Sequence, residues 1–128
     1  MTDPQMPGEG LSQKKCKPCE GGAKPLNPVM VKGYLAQLTG WELVDPSSGP
    51  MGPSGRGGEI VKNFRFQNFH ETMGFVNAVA WIANREDHHP ELEVGYKICK
   101  VRYMTHAIRG LSENDFICAA KIDQLLKD

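Results

Sequence analysis

Residues 59–90 read EIVKNFRFQNFHETMGFVNAVAWIANREDHHP, and within them the apolar spacing changes from that of a strand to that of a helix. From Glu59 to Phe66 the side chains alternate, with Ile60, Lys62, Phe64 and Phe66 on one face and Val61, Asn63 and Arg65 on the other. That alternation predicts a strand with one face suited to a core. From Asn68 the stripe Phe69, Met73, Val76, Ala80 and Ala83, widened by Val79 and Ile82, has the period of a helix. Pro90 disfavours helical geometry at His89, so the helix is expected to end near Asp87 or His88. The pair His88-His89 therefore stands at a helix exit.

Toward the C-terminus two more strands are expected, Leu92 to Tyr96 and Ile98 to Thr105. In the second, Cys99, Val101 and Tyr103 share one face while Lys100, Arg102 and His106 share the other. Gly110 breaks the chain and Ser112 opens a last helix whose apolar side carries Phe116, Ala119, Ala120, Ile122, Leu125 and Leu126. Ser112-x-x-Asp115 approximates a capping box, and Leu111 with Phe116 fits the hydrophobic staple around it. Asp115 is accordingly read as a cap first, with orientation of a histidine as a second use.

Toward the N-terminus, Pro28 to Leu38 is expected to be a helix capped by Asn27, with Val31, Tyr34, Leu35 and Leu38 at helical spacing. Gly40 stops it, and Trp41 to Val44 reads as a short strand. Residues 45–58 are almost all Pro, Ser and Gly, a composition that opposes helix and strand and predicts a flexible loop. Residues 1–26 read as a disordered tail and 27–128 as one domain. The order α-β-β-α-β-β-α predicts an α+β fold: a four-stranded antiparallel sheet with three helices packed on one face.

Composition narrows the function classes. The chain has 128 residues, enough for one domain with a real core. Lysine plus arginine equals aspartate plus glutamate at 15 each, so no net field points to nucleic acid or an anionic membrane. No apolar stretch approaches the roughly 20 residues that span a bilayer, and Met1 to Gly10 lacks a signal-peptide core. Four cysteines (Cys16, Cys19, Cys99, Cys118) make no dense disulfide framework, which fits a reducing cytoplasm. Cys99 and Cys118 lie in apolar elements and read as buried thiols, and Cys16-x-x-Cys19 as an incidental pair in the tail.

Three of the four histidines fall in the C-terminal block. Imidazole has an unperturbed pKa of about 6.5 and exchanges protons near neutrality. Three together point to proton transfer or to zinc; adjacent ligands such as His88-His89 are awkward for one metal, and no HExxH spacing is present. By themselves, without the spacing of the other residues, His88 and His89 are better explained as surface cations at a helix C-terminus than as catalytic groups. Tyr96 reads as a packing or pocket-wall residue, and Trp41 and Trp81 as core or subunit contacts.

The spacing His88-His89-Pro90, Tyr96, His106, Asp115 resembles the pterin-4a-carbinolamine dehydratase family. The likeness runs from Trp41 through Phe64-x-Phe66-x-x-Phe69 and the long helix to Gly110-Leu111-Ser112 and Asp123. Asn84 stands where that family usually carries a charged residue, and the loop at 45–58 is longer than its usual hairpin. The resemblance implies an α+β domain that joins sheets edge to edge into a homodimer or pairs dimers into a homotetramer. It implies a hydro-lyase that dehydrates 4a-hydroxytetrahydrobiopterin or a related pterin to quinonoid dihydropterin, linked to phenylalanine hydroxylase. It needs no cofactor or metal, the pterin being the substrate. By the same resemblance His88, His89 and His106 are the catalytic candidates, with Tyr96, Asp115 and Pro90 supporting or binding substrate. His88 and His106 would move protons at the 4a-hydroxyl and N5, and His89 would hold the hydroxyl or the ring. Mutual repulsion is expected to lower the pKa of at least one imidazole. Animal members also serve as dimerisation partners of a homeodomain factor, so a non-enzymatic binding module or coactivator is the competing class; a pterin-binding relative in molybdopterin metabolism is a further alternative.

Overall fold

The computed structural model describes residues 9–18, 24–44 and 58–126. In chain order these form α1 (Glu9–Ser12), α2 (Pro28–Leu35), β1 (Glu42–Val44), β2 (Glu59–Arg65), α3 (Phe69–Glu86), β3 (Glu91–Val94), β4 (Ile98–Tyr103), a 3-10 turn (His106–Ile108) and α4 (Glu113–Gln124). The strands make one sheet in the order β1-β2-β4-β3, antiparallel throughout. The fold is the expected α+β class. The expected loop falls almost wholly on 45–57, outside the described residues.

Register decides which side chains meet. Ile60, Lys62 and Phe64 of β2 face Tyr103, Val101 and Cys99 of β4, and Leu92 of β3 faces Val101. Directly paired residues point to the same side of an antiparallel sheet, so these side chains form one apolar surface. Phe75, Val79 and Ile82 of α3, Phe116, Ile117 and Ala120 of α4 and Val31 of α2 cover it in a single buried cluster. The predicted inward face of β4 is realised completely, Cys99, Val101 and Tyr103 all being fully buried. The outer face carries charge: Arg102 bonds Glu59 at 2.9 Å and Glu93 at 2.7 Å. Lys62 is tolerated on the inner face because its ammonium reaches Asp123 at 2.9 Å and the Thr39 carbonyl at 2.8 Å. Asp123 also accepts the Trp41 indole N–H at 3.1 Å, which ties the residue before β1 to α4.

The helix starts follow the expected chemistry. Asn27 caps α2 and Asn68 caps α3, their side-chain oxygens accepting N–H groups of Met30 (2.9 Å) and Glu71 (2.8 Å). The buried stripe of α3 is rotated from the expected one. Thr72, Phe75, Val79, Ile82, Ala83 and Glu86 face inward, while Phe69 and Ala80 are exposed and Met73 and Val76 only partly covered. Two polar residues inside this stripe hide it from a count of apolar positions. Thr72 is buried because its hydroxyl donates to the Asn68 carbonyl or the Tyr96 carbonyl, each at 2.9 Å. Glu86 is buried because it receives the Cys16 N–H at 2.9 Å. Trp81, expected in a core or subunit contact, is not in this core: it is 62% exposed, with the Arg85 guanidinium over its ring.

The expected tail over 1–26 is corrected for residues 9–18. Leu11 of α1 is 2% exposed in the core, Lys14 pairs with Glu113 at 2.6 Å, and Lys121 donates to the Ser12 carbonyl at 2.8 Å. One buried leucine and a set of main-chain bonds to α4 order a stretch whose composition alone reads as disordered.

Candidate active site

Two chain reversals build the site. α3 ends at Glu86, and Asp87 takes the left-handed conformation (φ 52°), with the His88 N–H bonded to the Ala83 carbonyl at 3.1 Å. This turn sends His88 inward, its side chain 11% exposed, and leaves His89 on the surface. Beyond β4, Thr105 and Gly110 pair across a tight reversal that contains the 3-10 turn. His106 is the first residue of that turn and exposed; it is not on a strand, a correction to the expected β-face shared with Lys100 and Arg102.

The two reversals meet in one recess of about 570 Å³, lined by His88, His89, His106, Asp87, Thr105 and Met104 and by Cys16 to Pro18 among others. Its size suits a small organic ligand. All three candidate histidines line it. Of the supporting candidates, Asp115 lies behind it, while Tyr96 and Pro90 are not among its lining residues. Tyr96 is 65% exposed and stacks on Phe69 at 5.9 Å, forming a surface aromatic pair.

Asp115 serves both uses considered from the sequence. It is fully buried in the first turn of α4. One oxygen, Oδ2, accepts the Ser112 N–H at 3.0 Å and the Thr105 hydroxyl at 2.8 Å. The other, Oδ1, lies 2.6 Å from His88 Nε2. An ionised carboxylate only accepts, so the proton of this bond sits on His88 Nε2. In the neutral ring Nδ1 is then the free base, and in the cation it becomes a donor. Tyr103 stacks on the His88 ring at 5.4 Å and 6° between planes, which fixes its orientation.

Burial opposes charge on His88, yet the hydrogen bond and the charge of Asp115 outweigh it, so its pKa stands above 6.5. The expected lowering by mutual repulsion is not what acts on this ring; a buried anion at bonding distance exceeds any cation across a solvated recess. His89 bonds through Nε2 to the Asn84 amide oxygen at 3.2 Å. Asn84, noted for standing where a charged residue is usual, thus orients the second histidine as a neutral partner.

Apolar patterning and motif spacing missed Glu86, Asn114, Thr105 and Cys16. The signal for Glu86 was adjacency: it directly precedes the Asp87-His88-His89 turn. Cys99 and Cys118 are buried thiols as expected. Cys16 is not in a free tail; its sulfur lies 3.5 Å from that of Cys118. Cys19 lies outside the described residues. Among the described residues no group of three or more His, Cys, Asp and Glu side chains is gathered closely enough for a metal ion. No helix among them is long and apolar enough to cross a membrane.

Residues 24–125 match the family model described as pterin 4 alpha carbinolamine dehydratase. The chain belongs to that family. It is 52% identical over 118 residues to a Nitrosomonas europaea protein named "Putative pterin-4-alpha-carbinolamine dehydratase", covering 91% of this chain and 94% of that one. A Legionella pneumophila (strain Corby) protein of the same name is 53% identical over 120 residues, covering 92% and 96%. Among solved structures, a transcriptional coactivator/pterin dehydratase from Brucella melitensis superposes with a TM-score of 0.69 at 28% identity, over 81% of this chain and 100% of that one. A pterin dehydratase-like RuBisCO assembly factor of the alpha-carboxysome shares the fold, with a TM-score of 0.51 at 20% identity over 66% of this chain and 87% of that one.

Proposed function

We propose that this protein dehydrates 4a-hydroxytetrahydrobiopterin, or a closely related 4a-hydroxytetrahydropterin, to quinonoid dihydropterin by histidine acid-base catalysis. In this reading it is a cytoplasmic homo-oligomer that returns the pterin cofactor of aromatic amino acid hydroxylases to use. One observation carries the reading: three imidazoles line one recess, and one of them is backed by a buried carboxylate. The reaction has little else to ask for. The C4a–O bond breaks, its electron pair leaves with oxygen, a proton must reach that oxygen, and the N5 proton is lost as the N5=C4a double bond forms. Hydroxide leaves poorly, so an acid at the oxygen and a base at N5 lower the barrier, each by about 100- to 10,000-fold in rate.

His88 suits the acid. Its raised pKa keeps a larger share of it protonated near neutrality, and Asp115 holds Nε2 so that Nδ1 carries the transferable proton. His106, exposed on its turn, suits the base at N5, and His89, steadied by Asn84, suits a contact to the hydroxyl or the ring. The test is to feed carbinolamine generated by a phenylalanine hydroxylase to the purified protein. Quinonoid product should form well above the spontaneous rate. An unchanged rate would favour a binding module, the other class that the names of the structural relatives bring into view.

A further inference from the structure

The recess has a wall that lies outside residues 24–125, the segment that the family model matches. Cys16, Lys17 and Pro18 line it together with the three histidines. Two buried polar side chains hold this strap in place. Asn114 grips the main chain of Lys17 from both sides, its Oδ1 accepting the N–H at 3.0 Å and its Nδ2 donating to the carbonyl at 2.6 Å. Glu86 accepts the Cys16 N–H at 2.9 Å, with Lys121 at 3.8 Å and Lys15 at 4.0 Å around its other oxygen. The Cys16 sulfur rests against Cys118 and points its weak donor capacity there or to the Asn114 carbonyl at 3.7 Å. Asn114 and Glu86 stand at the two ends of the elements that carry the site: α4 begins one residue before Asn114, and α3 ends at Glu86, two residues before His88. The strap is therefore fastened to the first turn of α4, which carries Asp115, and to the end of α3, from which the chain turns to His88.

We propose that Cys16–Pro18 is a latched wall of the pterin pocket that determines substrate affinity, with Asn114 and Glu86 as positioning residues acting through it. This rests on the pterin reading above. The strap's main-chain donors are spent: the Cys16 N–H on Glu86, the Lys17 N–H on Asn114, and Pro18 has none. It offers a bound ring surface and enclosure, which serve ground state and transition state alike. Such uniform binding appears in KM and leaves kcat in place.

The test uses the full chain in two variants. Asn114→Leu removes the grip on Lys17 at nearly constant volume. Cys16→Glu sets a second carboxylate before Glu86 and the buried Cys118, at a half-buried position on the edge of the core. Seating is read by iodoacetamide alkylation with the modified site assigned by mass spectrometry, at Cys16 in the first variant and Cys118 in the second. Affinity is read by equilibrium binding of 7,8-dihydrobiopterin and by KM for the carbinolamine. The thiols should become reactive, while KM and the dihydrobiopterin Kd rise about tenfold, the equivalent of one or two lost hydrogen bonds. kcat should stay within about twofold of the parent. Asn114→Asp keeps the acceptor for Lys17 and should fall between parent and Asn114→Leu. Reactive thiols with unchanged KM and Kd would overturn the inference, as would thiols that stay protected in both variants or a loss confined to kcat. A parent that neither binds dihydrobiopterin nor accelerates dehydration would remove the pterin reading itself and this inference with it.

Discussion

Asp115→Asn changes one oxygen to an amide nitrogen and should disable His88 without emptying the site. Asp115 makes three bonds, to His88 Nε2, the Thr105 hydroxyl and the Ser112 N–H. Two of these converge on Oδ2, and the Ser112 N–H can only donate. An asparagine therefore keeps its carbonyl oxygen on that side and turns its NH2 toward His88. To accept from that NH2, His88 must leave Nε2 unprotonated and carry its proton on Nδ1, which is the opposite tautomer and holds the ring neutral, so that it no longer serves as an imidazolium acid. Hydrogen bonds to charged groups contribute about 1.5–3 kcal/mol each, so the loss at the His88 contact should cost roughly 2 to 3 kcal/mol of stability. The dehydration rate should fall about 100-fold or more, as for removal of one acid-base group. Because the native pKa of His88 is raised, its share of stability is fully present below its ordinary 6.5 and is lost as pH rises through the higher folded value. The stability gap between parent and variant, from urea unfolding, should widen as pH falls from 8 to 6. Ring-nitrogen NMR of His88 gives the decisive reading: its pKa should drop in the variant and its tautomer should switch. A variant whose His88 titrates like the parent's, with undiminished turnover, would refute the reasoning.

Further outcomes follow from the same contacts. His88→Ala with His106→Ala should leave a folded protein by circular dichroism with almost no dehydratase activity; parental turnover would overturn the assignment. Glu86 is buried, yet the Cys16 N–H, Lys121 and Lys15 outweigh burial and hold its carboxyl below the ordinary 4.5. Its contribution is thus present above pH 4.5 and lost as pH falls through the lower folded value. Glu86→Gln should therefore cost about 1 to 3 kcal/mol near neutrality and flatten the acid limb of stability in urea titrations from pH 7 to 3. Asn68→Ala should cost about 1 kcal/mol by removing the cap of α3, seen as a lower urea midpoint with unchanged slope. Phe116, fully buried and stacked on Tyr34 at 5.2 Å, should cost about 3 to 5 kcal/mol on truncation to Ala.

The strands and helices from residue 27 onward were legible because their periods are clean. Cys99-Val101-Tyr103 alternates without exception, and Asn27 and Ser112 stand where caps belong. The rotation of α3 was not legible, because Thr72 and Glu86 face inward on the strength of hydrogen bonds that only the folded chain supplies. The same reason hides the order of residues 9–18: their partners, Asn114, Cys118 and Glu113, lie about a hundred residues away in sequence, and no local pattern encodes such contacts. For the candidate site, motif spacing singled out His88, His89 and His106, which line one recess, and Asp115, which bonds His88. Spacing says nothing about which face a side chain takes beyond a turn, so Tyr96 was grouped with them although it lies on the surface against Phe69.

The most direct measurement is a crystal structure of the protein with 7,8-dihydrobiopterin. The pterin should occupy the histidine recess, with ring nitrogens of His88 and His106 within about 3 Å of N5 and of the position of the 4a-oxygen. A pterin bound elsewhere, for instance in the groove beside Trp81 and Lys121 between α3 and α4, with the three imidazoles free of it, would contradict the assignment.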